Sequence, residues 1–254
     1  TAPINDMMFL FEKLRDNPHY NALEKYKEVN PDLAKDILEQ AAKLTENLIL
    51  PLAKAGDETP TKLENGVVRT PPGYKEAYKK FIEDGWVSLS CDPEYGGQGM
   101  PKTISSFFDE MLSAASLSFK LYSELSIGAY NCILHHGSDS IKKKFLPKIA
   151  SGEWFSCYNL TEPNAGSDAN SGKTVAELSS DGKNYEITGQ KIWISNAGFA
   201  EVFIVFAKIE NDIIPPMTIL NVAINMIIIT LEPSFFNARI FDDRRSKINA
   251  GGSK

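Results

Sequence analysis

Two short stretches of this chain carry residue types that could do chemistry. The first is Tyr158-Asn159-Leu160-Thr161-Glu162-Pro163-Asn164-Ala165-Gly166-Ser167-Asp168. It reads as a strand leaving into a polar, glycine-containing loop. Gly166 and Ser167 are small, so their backbone N–H groups could line an anion site that a phosphate approaches closely. A plain surface turn explains the same composition. The second stretch is Gln190-Lys191-Ile192-Trp193-Ile194-Ser195-Asn196. The alternation over Lys191–Ser195 predicts a strand with Trp193 and Ser195 on one face, because side chains repeat every two residues. A flat aromatic beside a hydroxyl would make a wall for a flat heterocyclic ligand. A core tryptophan with a rim serine is the competing reading.

Other chemistries find less support. The histidines are His19, His135 and His136, and the adjacent pair cannot point the same way on a helix. There is no CxxC, so no metal site is expected. Cys91, Cys132 and Cys157 are far apart and odd in number, as expected of free thiols in a reducing compartment. Lys and Arg total 27 against 33 Asp and Glu, a formal charge of −6. That balance argues against nonspecific nucleic-acid binding, which depends on releasing phosphate counterions. The N-terminal TAPINDMMFLFEKLRDN has no basic region ahead of its apolar run and does not read as a signal peptide. The apolar run Ile213 to Thr230 is broken by Pro215, Pro216, Asn221 and Asn225, which makes it a poor membrane span.

The elements that must position these stretches follow from periodicity. The 254 residues are 43% hydrophobic, enough for one large domain or two ordinary ones with a real core. Met7, Met8, Phe11 and Leu14 recur at helical spacing. Leu33, Ile37, Leu38, Ala41, Leu44 and Leu48 form an amphipathic face after an Asn30 N-cap and Pro31, and Pro51 disturbs that helix near its end. Residues 56–73 read as a long loop with a possible tight turn at Asn65-Gly66. Helices are expected over Tyr74–Asp84, about 102–118, about 121–136, and after a Ser138 N-cap. Near Gly152 the pattern changes to strands: Trp154–Leu160, Thr174–Leu178, Asn184–Ile187 after an Asp181-Gly182 turn, and Val202–Phe206, whose continuous apolar run suits burial on both faces. Helices first and strands later make an α+β chain. The expected divisions are a helical domain at 1–152, a partial β domain at 153–212 and a divergent tail at 213–254.

With these motifs in order, the chain resembles the acyl-CoA dehydrogenase family. TEPNAGSD followed by ITGQKIWISNAG is similar to the family's TEP-x-AGSD loop and G-x-K-x-(W/Y)-I-(T/S)-N segment. PEYGGQGMP at 93–101 and GSDSIKKKFLPKIASGEW at 137–154 resemble two more of its segments. The likeness runs from about residue 1 to Lys208. The N-terminal extension with its long loop resembles the larger bacterial branch that includes the 3-methylmercaptopropionyl-CoA dehydrogenases.

The resemblance implies a helical domain, then a β-barrel-like middle domain, with the family's C-terminal helical bundle absent. It implies FAD as cofactor and oxidation of an acyl-CoA to the trans-2-enoyl-CoA, with electrons passing to electron-transfer flavoprotein. Tyr158, Leu160 and Thr161 would lie along the flavin, and Thr161 would hydrogen-bond its ring. Gly166 and Ser167 would hold the pyrophosphate or, for Ser167, the acyl-CoA. Trp193 would cover the flavin face away from substrate. Ile194 and Ser195 would meet the ring edge, Ser195 standing where many members have Thr. The family's catalytic base and oligomer interface belong to the C-terminal bundle. Glu232 has no family motif around it and is not assigned as that base. A non-catalytic fragment or flavin- or CoA-binding module, and an acyl-CoA oxidase, are the alternatives. A bacterial chain of this type would be cytoplasmic and a eukaryotic one in the mitochondrial matrix.

Overall fold

The computed structural model describes residues 1–65, 67–178, 180, 185–209, 225–230 and 246–248. It divides into two units, Thr1–Glu153 and Trp154–Lys254.

Apolar spacing builds the first unit. Helix α1 (Ile4–Arg15) buries Met7 and Phe11, and two short helices follow, α2 (Pro18–Asn21) and α3 (Glu24–Lys27). Helix α4 (Pro31–Leu44) starts as read: Asn30 Oδ1 accepts from the Leu33 N–H at 2.8 Å, and Pro31 needs no donor in the first turn. Its buried stripe is Ala34, Leu38, Ala41 and Leu44, while Leu33 is exposed. Pro51 does not end the helix. It has no N–H for the carbonyl four residues back, and its ring crowds that carbonyl. The chain widens into a π turn over Thr45–Ile49 and resumes as α5 (Leu50–Glu58). The wider turn presents Ile49 to the core in place of Leu48. The loop expected from residue 56 therefore starts later. Within it β1 (Lys62–Glu64) and β2 (Val67–Arg69) pair antiparallel, Glu64 opposite Val67, with Asn65 at φ 52° in the intervening turn.

Helix α6 (Tyr74–Glu83) stops just before Gly85. The two helices expected over 102–136 are joined as α7 (Lys102–His136), with a break at Ser116, φ −161° and ψ 102°. Ser116 Oγ accepts from the Phe119 N–H at 3.4 Å, which caps the second half. Helix α8 (Asp139–Ala150) has Ser138 as its N-cap. Between α6 and α7 the Phe81 ring packs on Phe108 and Phe119 with centroids 6.0 and 5.6 Å apart.

The second unit is a mixed six-stranded sheet. Strand β3 (Ser156–Asn159) runs parallel to β6 (Val202–Ile209). Strand β4 (Val175–Leu178) also pairs parallel with β6 and antiparallel with β5 (Tyr185–Thr188). Strand β7 (Asn225–Thr230) lies antiparallel along β6, and β8 (Ser246–Ile248) along β5. Strand β6 is thus bonded to three strands, and Val202, Phe203, Ile204 and Val205 are all buried, as the continuous apolar run requires. Cys157, Ala176, Ala200, Phe203, Val205 and Ala207 form this core.

Several expectations concern other residues. The Asp181-Gly182 turn, Glu232, and the tail at 213–254 apart from β7 and β8 lie outside the described residues. Among the described residues no helix is long and apolar enough to cross a membrane.

Candidate functional site

The second unit brings both sequence motifs to the end of β3. Tyr158 is half-buried, its ring 4.7 Å from that of Phe206 on β6. Asn159 is buried and donates through Nδ2 to the Ile204 carbonyl at 3.2 Å, which pins the end of the strand. Leu160 and Thr161 then leave the sheet half-buried. Glu162 and Ala165 exchange both backbone hydrogen bonds at 3.1 Å, closing a tight turn around Pro163 and Asn164. Gly166 and Ser167 follow, both exposed. Among the described residues no protein group is hydrogen-bonded to their N–H groups. Nothing lies within 4 Å of where a Gly166 Cβ would sit. Packing therefore does not require glycine there, and the small residue leaves room above two free donors.

The second motif is not the expected strand. Strand β5 ends at Thr188, and Lys191–Ser195 pair with no neighbouring strand. Instead the Ile192 N–H donates to the Thr161 carbonyl at 3.0 Å. Trp193 then turns into the left-handed region at φ 58°, and Asn196 does so at φ 67°. The turn overturns the shared face of Trp193 and Ser195, because period-two alternation holds only while the backbone stays extended. The core-tryptophan reading fails as well: Trp193 is 87% exposed. Ile194 packs against the sheet core, and Ser195 is exposed. Thr161, Ile192 and the Trp193 turn are adjacent through that one backbone hydrogen bond. A bulky residue at positive φ costs about 1–2 kcal/mol, and exposing the indole forgoes its burial. Neither is a device of stability, and both are what an aromatic held out for a ligand would show.

Under the two motifs sits an ion pair that composition alone did not single out. Glu162 Oε1 accepts from Lys191 Nζ at 2.8 Å and from the Thr174 N–H at 3.0 Å, while Oε2 accepts from the Lys173 N–H at 2.6 Å. Lys191 Nζ also donates to the Leu160 carbonyl at 3.1 Å. The side chains are 7% and 12% exposed. Burial pushes the Glu162 carboxyl up, but Lys191, Thr174 and the two backbone N–H groups outweigh it and hold it at about 2. The signal in the sequence was a carboxylate ahead of Pro163 in the first motif and a lone cation, Lys191, in the second.

The first unit has a separate cavity of about 220 Å³, lined by Trp86, Phe108, Asp109, Leu112, Lys120 and Glu124. Burial raises the Asp109 carboxyl, against the pull of Lys102.

Comparison with known proteins matches this arrangement. The family models of the acyl-CoA dehydrogenase N-terminal and middle domains match residues 31–153 and 157–231. The chain belongs to the acyl-CoA dehydrogenase family. The middle-domain match continues past Lys208, where the motif reading stopped, and takes in β7. The 3-methylmercaptopropionyl-CoA dehydrogenase of Ruegeria pomeroyi is 40% identical over 194 residues, 76% of this chain and 33% of that protein. The acyl-CoA dehydrogenase of Bacillus anthracis solved with FAD aligns at TM-score 0.63 and 29% identity, over 80% of this chain and 31% of that one. A chain described with the electron transferring flavoprotein of Acidaminococcus fermentans aligns at TM-score 0.59 and 26% identity, over 74% of this chain and 44% of that one. The chain thus spans about a third of the length of the Ruegeria relative and of the Bacillus structure.

Proposed function

We propose that this chain supplies the cofactor-holding part of an FAD-dependent acyl-CoA dehydrogenase that converts an acyl-CoA to the trans-2-enoyl-CoA. The observation that carries the reading is Trp193, 87% exposed at a left-handed φ beside the end of β3. A flat, unburied indole on a fixed turn is suited to cover a flat heterocycle. FAD, when bound, supplies hydride acceptance, and the protein orients and tunes it.

The chain's own residues divide the remaining work. Tyr158 and Leu160 line the path toward the cofactor. Thr161 and Ser195 keep hydroxyls with no protein partner among the described residues, available to the ring edge as it gains charge. Ile194 closes the edge from the core side. Gly166 and Ser167 offer backbone donors to the pyrophosphate, and Ser167 can also meet the acyl-CoA. The open position above Gly166 fits such a group, and backbone donors serve an anion in a chain of net charge −6. Glu162 is not the base. Its oxygens are held by Lys191, Lys173 and Thr174, and its carboxylate at about 2 is a poor proton acceptor. The resemblance assigns the base to the family's C-terminal bundle.

Electron-transfer flavoprotein as acceptor is supported by the resemblance and by the Acidaminococcus structural likeness. A homo-oligomer rests on the resemblance alone. A reducing compartment such as the bacterial cytoplasm suits three cysteines that form no disulfide.

Titration of the purified chain with FAD, followed by flavin absorbance and fluorescence, tests the reading. Saturable binding is expected. Trp193→Ala should weaken it about 5–10-fold, the size of an aromatic stacking contact, without lowering the melting temperature. Absence of any flavin binding, or a Trp193→Ala variant that binds as the parent does, would overturn the reading.

A further inference from the structure

The Glu162–Lys191 pair joins three pieces of chain that are distant in sequence, 160–162, 173–174 and 191. Glu162 reaches Lys173 and Thr174 at the start of β4 and Lys191 beyond β5, and Lys191 returns to the Leu160 carbonyl. These links span 11, 12, 29 and 31 residues. Beside the pair, one residue before Glu162 and one after Lys191, the Ile192 N–H is bonded to the Thr161 carbonyl. A buried ion pair is a weak source of stability, since desolvating two charges offsets most of their attraction. What it does supply is one geometry, because removing either partner leaves a buried charge unpaired. The pair is buried, whereas Trp193, Ser195, Gly166 and Ser167 are exposed.

We propose that Glu162 and Lys191 are positioning residues that clamp the two motif segments together and so preset Thr161, Trp193 and Ser195 as one cofactor-facing surface. The proposal rests on the flavin reading given above, and it assigns the pair no contact with the cofactor. The Lys191–Ser195 segment belongs to no strand; besides the clamp, the Ile192 N–H, the packing of Ile194 and, just beyond it, Asn196 Nδ2 donating to the Ser156 carbonyl at 3.5 Å hold it, and of these only the Ile192 bond reaches the first motif's loop. Without the clamp, the left-handed turn at Trp193 would relax toward the extended backbone that its sequence favours.

Three variants test this: Glu162→Gln, Lys191→Arg, and the double variant Glu162→Leu/Lys191→Met. The double variant removes both charges together, so it keeps a folded sheet if a single change does not. Amide hydrogen exchange is read at Ile192 and, as the internal control, at Phe203 in the core of β6. FAD affinity is read in parallel. In Glu162→Gln and the double variant, Ile192 should exchange at least 10-fold faster while Phe203 keeps its protection, and FAD should bind at least 10-fold more weakly. Lys191→Arg should recover part of both. Unchanged Ile192 exchange in the folded double variant overturns the clamp. Faster Ile192 exchange with unchanged FAD affinity overturns its role in presetting the surface. If the parent chain binds no FAD, the flavin reading fails, and Ile192 exchange alone decides whether the two segments are clamped.

Discussion

Replacing Gly97 by alanine should unfold the first unit far more readily than the same change one residue earlier. In Pro93-Glu94-Tyr95-Gly96-Gly97 the two glycines are present for different reasons. Gly96 lies at φ +85°, and a Cβ there meets nothing within 4 Å. Gly97 has an ordinary φ, but its Cβ would fall 2.1 Å from the Cys91 carbonyl carbon and oxygen and 2.6 Å from Cys91 Cβ. Carbon atoms pack at about 3.5–4.0 Å, so the backbone of one segment must move by about 1.5 Å. That segment is laced by four hydrogen bonds: Gly97 N–H to Asp92, Gln98 N–H to Ser88, Gly99 N–H to Cys91 and Met100 N–H to Leu89, all at 2.9–3.0 Å. Losing two at about 1 kcal/mol each, with about 1–3 kcal/mol of overpacking, gives roughly 3–5 kcal/mol for Gly97→Ala. Gly96→Ala carries only the left-handed penalty, about 1–2 kcal/mol. Urea unfolding followed by far-ultraviolet circular dichroism, dominated by the helices of the first unit, measures both. A Gly97→Ala loss no larger than that of Gly96→Ala would refute the argument from close approach.

Three further outcomes follow from the structure. Glu162 titrates at about 2 when folded against an ordinary 4.5, so the unfolded chain binds the extra proton. Relative to its own protonated form, the ionised carboxylate stabilises the fold by up to about 3 kcal/mol, fully present above 4.5 and lost as pH falls toward 2. Acid unfolding should therefore be less steep over that range in Glu162→Gln, and an unchanged slope would count against the buried pair. Burial holds the Cys91 and Cys157 thiols up at about 12, so a thiol reagent at mildly alkaline pH should label them only as the chain unfolds. Rapid labelling of either by mass spectrometry in native buffer would contradict their placement. Asn30→Ala should cost about 1 kcal/mol through loss of the α4 cap, read as a lower urea midpoint, whereas Asn30→Ser should keep most of it.

Local signals survived into the structure wherever the local chemistry was the cause. Asn30 and Ser138 cap the helices they precede, because a side-chain oxygen three residues from a free N–H needs no tertiary help. The break at Ser116 falls just inside the end of the first of the two helices read from spacing, about 102–118. The apolar run at Val202–Phe206 became the most heavily paired strand, since only a strand with neighbours on both edges can bury such a run. Pro51 was a correct sign of disturbance: the chain widens into the π turn at Thr45–Ile49 and then continues as α5.

The residue types of the candidate site and their order along the chain were in the sequence alone: a small-residue loop, two hydroxyls and a tryptophan, with Glu162 in one motif and Lys191 in the other. Tertiary structure decided how they are presented. Alternation placed Trp193 and Ser195 on a strand face, and the fold denied that strand by tying Lys191 to Glu162 and Ile192 to Thr161 across 29 and 31 positions. No local rule anticipates a left-handed turn at a tryptophan, because locally it is unfavourable. It persists because long-range bonds hold the segment on either side of it, Lys191 and Ile192 before and Asn196 Nδ2 to the Ser156 carbonyl after, and those bonds exist only once the sheet has formed.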